Sequence, residues 1–216
     1  MNVRVHPPDG DVRLSVPPRA SQRSIVRFVR ECRPWIEQHR ARLREQVAER
    51  PLAPGRHRPT GASGELLWHF GRPVRLEVVA SDGRPGAALH PDGRLRVRTA
   101  EPEDRDAVLV VLERFRRREL RRGATAMLDP WAERLEVRYA FLGVRSMTTR
   151  WGTCVPERGR VWLNLALVER PPAALEYVVV HELAHLREAS HGPAFQELMD
   201  RALPDWRRRR ADLDRW

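Results

Sequence analysis

The period of the apolar positions changes several times along this chain, and the changes divide it. Residues 2–6 and 11–16 alternate, with Val3, Val5, Val12, Leu14 and Val16 on one side of each run. Pro7-Pro8-Asp9-Gly10 lies between the runs, so the pattern predicts a β-hairpin. Pro17-Pro18 ends it. Ser21 then caps a predicted helix in which Ile25, Phe28, Val29, Cys32, Trp35, Ile36 and Leu43 recur at helical spacing, with Pro34 expected to kink or interrupt it. Residues 51–64, rich in Pro and Gly and including His57, read as a loop or connector. Strands follow at about 65–70, 73–80, 86–90 and 94–98, punctuated by Gly71, Asp82-Gly83 and Asp92-Gly93.

From Pro102 the period becomes helical. Val108, Val111, Leu112, Phe115 and Leu120 mark one amphipathic stretch. A second runs from Ala124 through Met127, Leu128, Trp131, Leu135 and Tyr139 despite Pro130, with Gly143 as its stop. Residues 144–150 and 160–165 read as two strands joined by a turn over 154–159. Pro171-Pro172 and Pro193 then open two helices, and residues 205–215 form a last one. The fold class this predicts is α+β, with residues 1–100 a β-rich region holding one helix and residues 101–216 mainly helical. The two are expected to form one continuous unit.

The helix after Pro171-Pro172 carries the chemistry. It reads His181-Glu182-Leu183-Ala184-His185, with His191 six positions further on. Two His residues at i and i+4 share one helical face, so their imidazoles can converge on one metal ion. Glu182 beside the first then faces the ion's open position, where it can serve as general base for water. Val178, Val179, Val180, Leu183, Ala184 and Leu186 make this helix apolar nearly all round, hence buried, and a buried His-Glu-His set is costly unless paired or metal-bound. A catalytic zinc takes three protein ligands plus water, and the break at Ser190-His191-Gly192-Pro193 favours His191 as the third. Glu197 is its main rival, and Glu188 or Asp200 could orient a ligand from behind.

Composition changes this picture little. Cys32 and Cys154 are too few and too far apart for a disulfide framework, no apolar run opens the chain as a signal peptide would, and none approaches the ~18 residues of a spanning helix. The expectation is a cytoplasmic protein with no membrane partner. A net charge of +11 invites nucleic acid as a partner, yet all 40 basic residues are Arg and none is Lys. That bias is compositional, so Arg116–Arg118, Arg121-Arg122 and Arg207–Arg210 read first as solvated helix faces. His69 and His90 lack metal-like spacing.

Read together, Arg150-Trp151-Gly152-Thr153-Cys154, then Val161-Trp162-Leu163-Asn164-Leu165, Glu176 through Leu186, Ser190-His191, Phe195 and Pro204-Asp205-Trp206 resemble the YgjP-like metallopeptidase family, which is related to SprT-type and wider zincin metallopeptidases. The likeness is strong over residues 144–206 and weaker through the N-terminal hairpin and Trp35-Ile36. Thr153, Ser190, Gly192 and Gln196 depart from the family pattern, and Gln196 would alter the wall of the site. The resemblance implies a zincin-like catalytic region with a small β-sheet packed on helices. It also implies Zn²⁺ bound by His181, His185 and His191, Glu182 as catalytic base, and hydrolysis of a peptide or protein substrate by metal-activated water.

If residues 160–165 form the sheet edge, a substrate strand could add there, with Trp162 and Asn164 lining the cleft. Cys154 is surplus to a three-His site. A metzincin reading fails because Glu188 stands where its Gly belongs and no suitable Met follows. The competing function is a DNA- or partner-binding protein with a structural metal, and a third is another amide hydrolase.

Overall fold

The computed structural model describes residues 1–6, 11–17, 20–49 and 58–215. The predicted turn at Pro7–Gly10, Pro18, and residues 51–57 of the connector with His57 lie outside them. Two compact units divide at Arg58/Pro59. In the first, β1 (Asn2–His6) pairs antiparallel with β2 (Asp11–Ser15), Val3 opposite Leu14 and Val5 opposite Val12. Helix α1 (Gln22–Glu49) starts after Ser21, whose hydroxyl accepts the Ser24 N–H at 3.2 Å. Pro34 does not interrupt it. Arg30, four residues earlier, is exposed, so water can take the carbonyl that Pro34 leaves without its donor.

The second unit is built on one long helix, α2 (Arg105–Arg134). Asp104 caps it, its carboxylate accepting from Asp106 N–H at 2.9 Å and Ala107 N–H at 3.1 Å. The two predicted amphipathic stretches are thus one helix of 30 residues, about 45 Å long. Pro130 is tolerated because Ala126, whose carbonyl it frees, is exposed.

The N-terminal half of α2 covers a four-stranded sheet: β3 (Leu66–His69), β4 (Arg72–Ala80), β5 (Gly86–Leu89) and β6 (Arg94–Thr99), in the order β3-β4-β6-β5. Alternation in β6 buries Leu95 and Val97 and leaves Arg94 and Arg98 exposed. Those buried residues join Leu67, Val74 and Leu76 against Val108, Val111, Leu112 and Phe115 of α2. His69 packs between the rings of Phe70 and Phe115, and His90 pairs with Asp92 at 3.2 Å.

The C-terminal half of α2 serves a second core. Leu120, Ala124, Leu128 and Trp131 pack with a three-stranded sheet of β7 (Phe141–Arg145), β8 (Gly152–Val155) and β9 (Arg160–Asn164), in the order β7-β9-β8. Helices α3 (Pro172–Ala184), α4 (Pro193–Ala202) and α5 (Trp206–Arg215) complete it. The class is α+β.

Three local expectations are corrected here. Gly143 stops no helix. It lies inside β7, where a Cβ would collide with the Trp162 ring, and α2 ends earlier, at Leu135, with Glu136 in the left-handed region. Residues 146–151 are not strand, because the Asn164 side chain takes their backbone groups: its amide donates to the carbonyls of Met147 (2.9 Å) and Arg150 (2.8 Å), and its oxygen accepts from Met147 N–H. And β9 is the central strand of its sheet, parallel to β7 and antiparallel to β8, so it offers no edge to a substrate.

Candidate metal centre

Helix α3 begins with Pro172 in its first turn and is nearly all buried: Leu175, Val178, Val179, Val180 and Leu183 lie within the second core. Its N-terminal half is anchored twice. The β3–β4 turn holds the entering segment, with Phe70 N–H donating to the Val168 carbonyl (2.7 Å) and Gly71 N–H to that of Glu169 (3.2 Å). Glu176 accepts from Trp131 Nε1 of α2 (3.0 Å) and pairs with Arg209 of α5 (2.5 Å). The helix therefore presents its last turn, with His181 and Glu182, in a set orientation.

There the three predicted histidines come together. His181, His185 and His191 offer ligand atoms that all lie within 4.8 Å of one another. Nε2 of His181 is 3.2 Å from Nε2 of His185 and 3.0 Å from Nε2 of His191. Three nitrogens around a tetrahedral zinc at ~2.05 Å would be spaced about 3.3 Å apart, so the group is close to the size such an ion needs. His185 Nδ1–H donates to the Glu188 carbonyl (3.1 Å), which fixes the tautomer and leaves Nε2 with its lone pair. Burial, followed by the charges of His185, His191 and Arg210, pushes His181 down to about 3 and keeps that imidazole neutral, the form in which it can be a ligand. The donor set fits a borderline divalent metal. His181 Nδ1 is buried with no partner among the described residues.

The Phe195 ring of α4 is the wall shared by all three imidazoles, at 5.0, 4.7 and 4.9 Å from them. Glu182 is buried at 5 % exposure, and burial raises its carboxyl to about 8, opposed by the charge of Arg150. It lies against β8 so closely that a Cβ on Gly152 would fall 2.5 Å from its Oε1. The histidines and Glu182 open onto a cleft of about 900 Å³, walled also by Arg150–Cys154, Tyr177, Trp206 and Arg210. Trp151 rests on the buried guanidinium of Arg170, 4.7 Å from its ring centroid. Stacked against Tyr177, Trp206 ties α5 to the same wall.

A family profile described as YgjP-like, metallopeptidase domain, matches residues 1–216, the whole chain. The chain belongs to the YgjP-like family. Its activity class is accordingly that of a metallopeptidase, a peptide-bond hydrolase that works with a metal ion. No curated protein matches. Among solved structures the chain is similar to the metallopeptidase zymogen of Pyrococcus abyssi abylysin, at 19% identity over 38% of this chain and 80% of that one, with a TM-score of 0.35. That likeness is too slight to carry an argument about this YgjP-like chain.

Most of the other residues that the sequence singles out fall elsewhere, for reasons the structure makes plain; Gln196 does line the cleft. Glu197 is exposed on α4 and approaches Arg201 at 4.0 Å, and Asp200 bonds Trp206 Nε1 and Arg207. The group behind His185 is the carbonyl of Glu188; its carboxylate accepts instead from the Ser190 hydroxyl. Trp162 packs on Phe141 and Arg145, and Asn164 braces the 146–151 loop, so neither walls the cleft. The Cys154 thiol does, and burial raises it to about 11, which keeps it protonated. Sequence reasoning assigned no role to Gly152, Phe195 or Arg210. Gly152 and Phe195 stood within the quoted motifs, whereas Arg210 was concealed in a run of four arginines.

Proposed function

We propose that this YgjP-like chain is a zinc-dependent peptidase in which His181, His185 and His191 hold the ion and Glu182 is the general base. The observation that carries the reading is the convergence of three Nε2 atoms beside a buried carboxylate of the same helix, all open to one cleft. Zinc, when bound, lowers the pKa of water and polarises a carbonyl. The chain supplies the rest. Glu182 takes the proton of the attacking water and delivers it to the leaving amine. Phe195 and the Glu188 carbonyl hold the imidazoles in place. Gly152 makes room for the carboxylate, and the cation of Arg150 acts on it across the cleft rim.

The strand available to a substrate is β8 rather than β9: among the described residues its only sheet neighbour is β9, and Gly152, Thr153 and Cys154 wall the cleft. An extended peptide paired with β8 would pass its backbone in front of Glu182. The nucleic-acid reading loses its footing, because most of the arginine runs are spoken for. Arg116 pairs with Glu169, Arg117 with Glu113, Arg118 and Arg122 with Glu119, Arg207 with Asp200, and Arg208 and Arg209 with Asp205.

Elemental analysis of the purified chain is the test. About one zinc per chain is expected, lost in His185→Ala and in His191→Ala and retained in Glu182→Gln. Glu182→Gln should lower peptide turnover by roughly 10²–10⁴-fold. Zinc retained in both His variants, or full turnover in Glu182→Gln, would overturn the assignment.

A further inference from the structure

The four consecutive arginines that open α5 are not equivalent. Arg207 pairs with Asp200, Arg208 with Asp205, and Arg209 with both Asp205 and Glu176. Arg210, the member of the run that walls the cleft, is exposed and makes no ion pair or hydrogen bond among the described residues. The same holds for the side chain of Arg150 on the loop leading into β8, also exposed and also on the cleft wall. In a region where three neighbouring guanidiniums each have a carboxylate, the two that face the substrate's space have none.

Both wall the same cleft as His181 and Glu182, the charge of Arg210 bearing on the His181 imidazole and that of Arg150 on the Glu182 carboxylate. The exposed acid on the cleft wall, Glu157, lies past the end of β8, where its charge acts on Cys154. Near the reacting bond, then, the wall offers two solvated cations and one carboxylate that is buried. Guanidinium groups in such a place favour planar oxyanions, which they hold by paired, charge-assisted N–H···O bonds. β8 supplies backbone pairing that is indifferent to sequence, so side-chain selection has to come from groups such as these.

We propose that Arg150 and Arg210 form a carboxylate-reading pair, so that the cleft selects peptides carrying a negative charge close to the scissile bond, from an Asp or Glu side chain or from a free C-terminus. This rests on the peptidase reading above and names its substrate class. The pair acts on binding, and the proton transfers remain with Glu182.

Binding is the direct test, measured by calorimetry on zinc-loaded Glu182→Gln, which holds peptide without cleaving it. Short peptides would differ only in Glu or Gln beside the central bond, each made with a free or an amidated C-terminus. The carboxylate forms should bind about tenfold tighter, the scale of a charge-assisted hydrogen bond, and less so at high salt. Adding Arg210→Gln and Arg150→Gln to that background should bring the ratio close to one while zinc content stays the same. Whether the side-chain or the C-terminal arm carries the preference identifies the source of the charge. Equal affinity for all four peptides, or a preference that survives loss of both arginines, overturns the pair. Hydrolysis by the wild-type chain separates this from the parent reading: turnover without acid preference sinks only the pair, whereas binding with acid preference but no turnover by any zinc-loaded form sinks the peptidase. A loss in kcat that is equal for Glu and Gln peptides in Arg210→Gln would overturn selection and place that guanidinium in the transition state.

Discussion

Helix α2 carries two layers built on opposite principles. Over its first half lies the β3–β6 sheet, whose apolar core is Leu67, Val74, Leu76, Leu95, Val97 and four residues of α2, with Thr99 the one buried polar residue among the described residues of those strands. Over its second half lies the β7–β9 sheet with α3 to α5, where Asn164, Glu169, Arg170 and Glu182 are buried among leucines and valines. The first layer turns most of its polar groups outward, as Arg94, Arg96 and Glu77 do. The second holds them inside, with Arg116 on Glu169 and Asn164 on the 146–151 loop, while Nε and Nη1 of Arg170 have no hydrogen-bond partner among the described residues and its guanidinium lies over the Trp151 ring. Burial of polar groups is a cost that packing alone does not require. Its concentration around α3 accompanies the cluster of His181, His185 and His191.

If that division is right, equal lesions in the two layers should have unequal consequences. Leu163→Ala in β9 and Leu95→Ala in β6 each delete a side chain at 0 % and 2 % exposure, and each should cost about 2–5 kcal/mol in urea unfolding. Below the transition, Leu95→Ala should keep wild-type zinc content and turnover per folded chain. Leu163→Ala should lose zinc affinity as well, because β9 is the central strand of the sheet that packs on α3 and holds β8 in place. Equal retention of zinc in both would mean the metal helix is indifferent to the sheet beside it.

A finer cut leaves both cores intact. Gly152→Ala places a methyl 2.5 Å from Glu182 Oε1 and 2.7 Å from its Cγ, with nowhere to go but into the carboxylate. Displacement on the ångström scale should lower kcat by about a hundredfold. Zinc content should be unchanged, since none of the three histidines is touched. Normal turnover in this variant would show that Glu182 can work from another rotamer and would weaken its assignment as base.

The same division explains what could be read from the sequence. The β3–β6 strands were legible to within two residues, since period-2 alternation and Gly turns were the only signals and nothing competed with them. The His-Glu-His cluster was legible because i, i+4 spacing on an apolar helix has few other uses. Errors clustered in the second layer. Residues 146–150 have the composition of a strand, but a side chain remote in sequence, Asn164, takes their backbone bonds. Gly143 reads as a helix stop because nothing local announces that the Trp162 ring lies across it. Arg210 could not be told from Arg207–Arg209, since which arginine meets a carboxylate is decided by how α5 docks.

The smallest expected effect is an alkaline one, and it too should belong to one layer. With no Lys in the chain, Tyr, Cys and the buried Arg170, which desolvation lowers to about 10, are the groups that titrate between about pH 9 and 12, and residues 59–104 of the first layer contain no Tyr or Cys. In the second, Tyr139 joins α2 to β7, its hydroxyl donating to Asp129 at 2.6 Å. Burial, then the hydrogen bond and charge of Asp129, push the phenol up to about 12. An unfolded Tyr ionises near pH 10, so between about 10 and 12 the unfolded chain sheds a proton that the folded chain keeps. The stabilisation is therefore complete below about pH 10 and is lost as pH rises towards 12. Tyr139→Phe should cost roughly 0.5–1.5 kcal/mol at neutral pH, for the lost hydrogen bond, and should flatten the alkaline fall. The half-buried Cys154 thiol, raised to about 11, contributes in the same direction at somewhat lower pH and remains in the variant. Urea unfolding of both forms at intervals from pH 8 upward would decide it: parallel curves across the alkaline range would mean that Tyr139 keeps its solution pKa and that its bond to Asp129 does not hold α2 to the segment leading into β7.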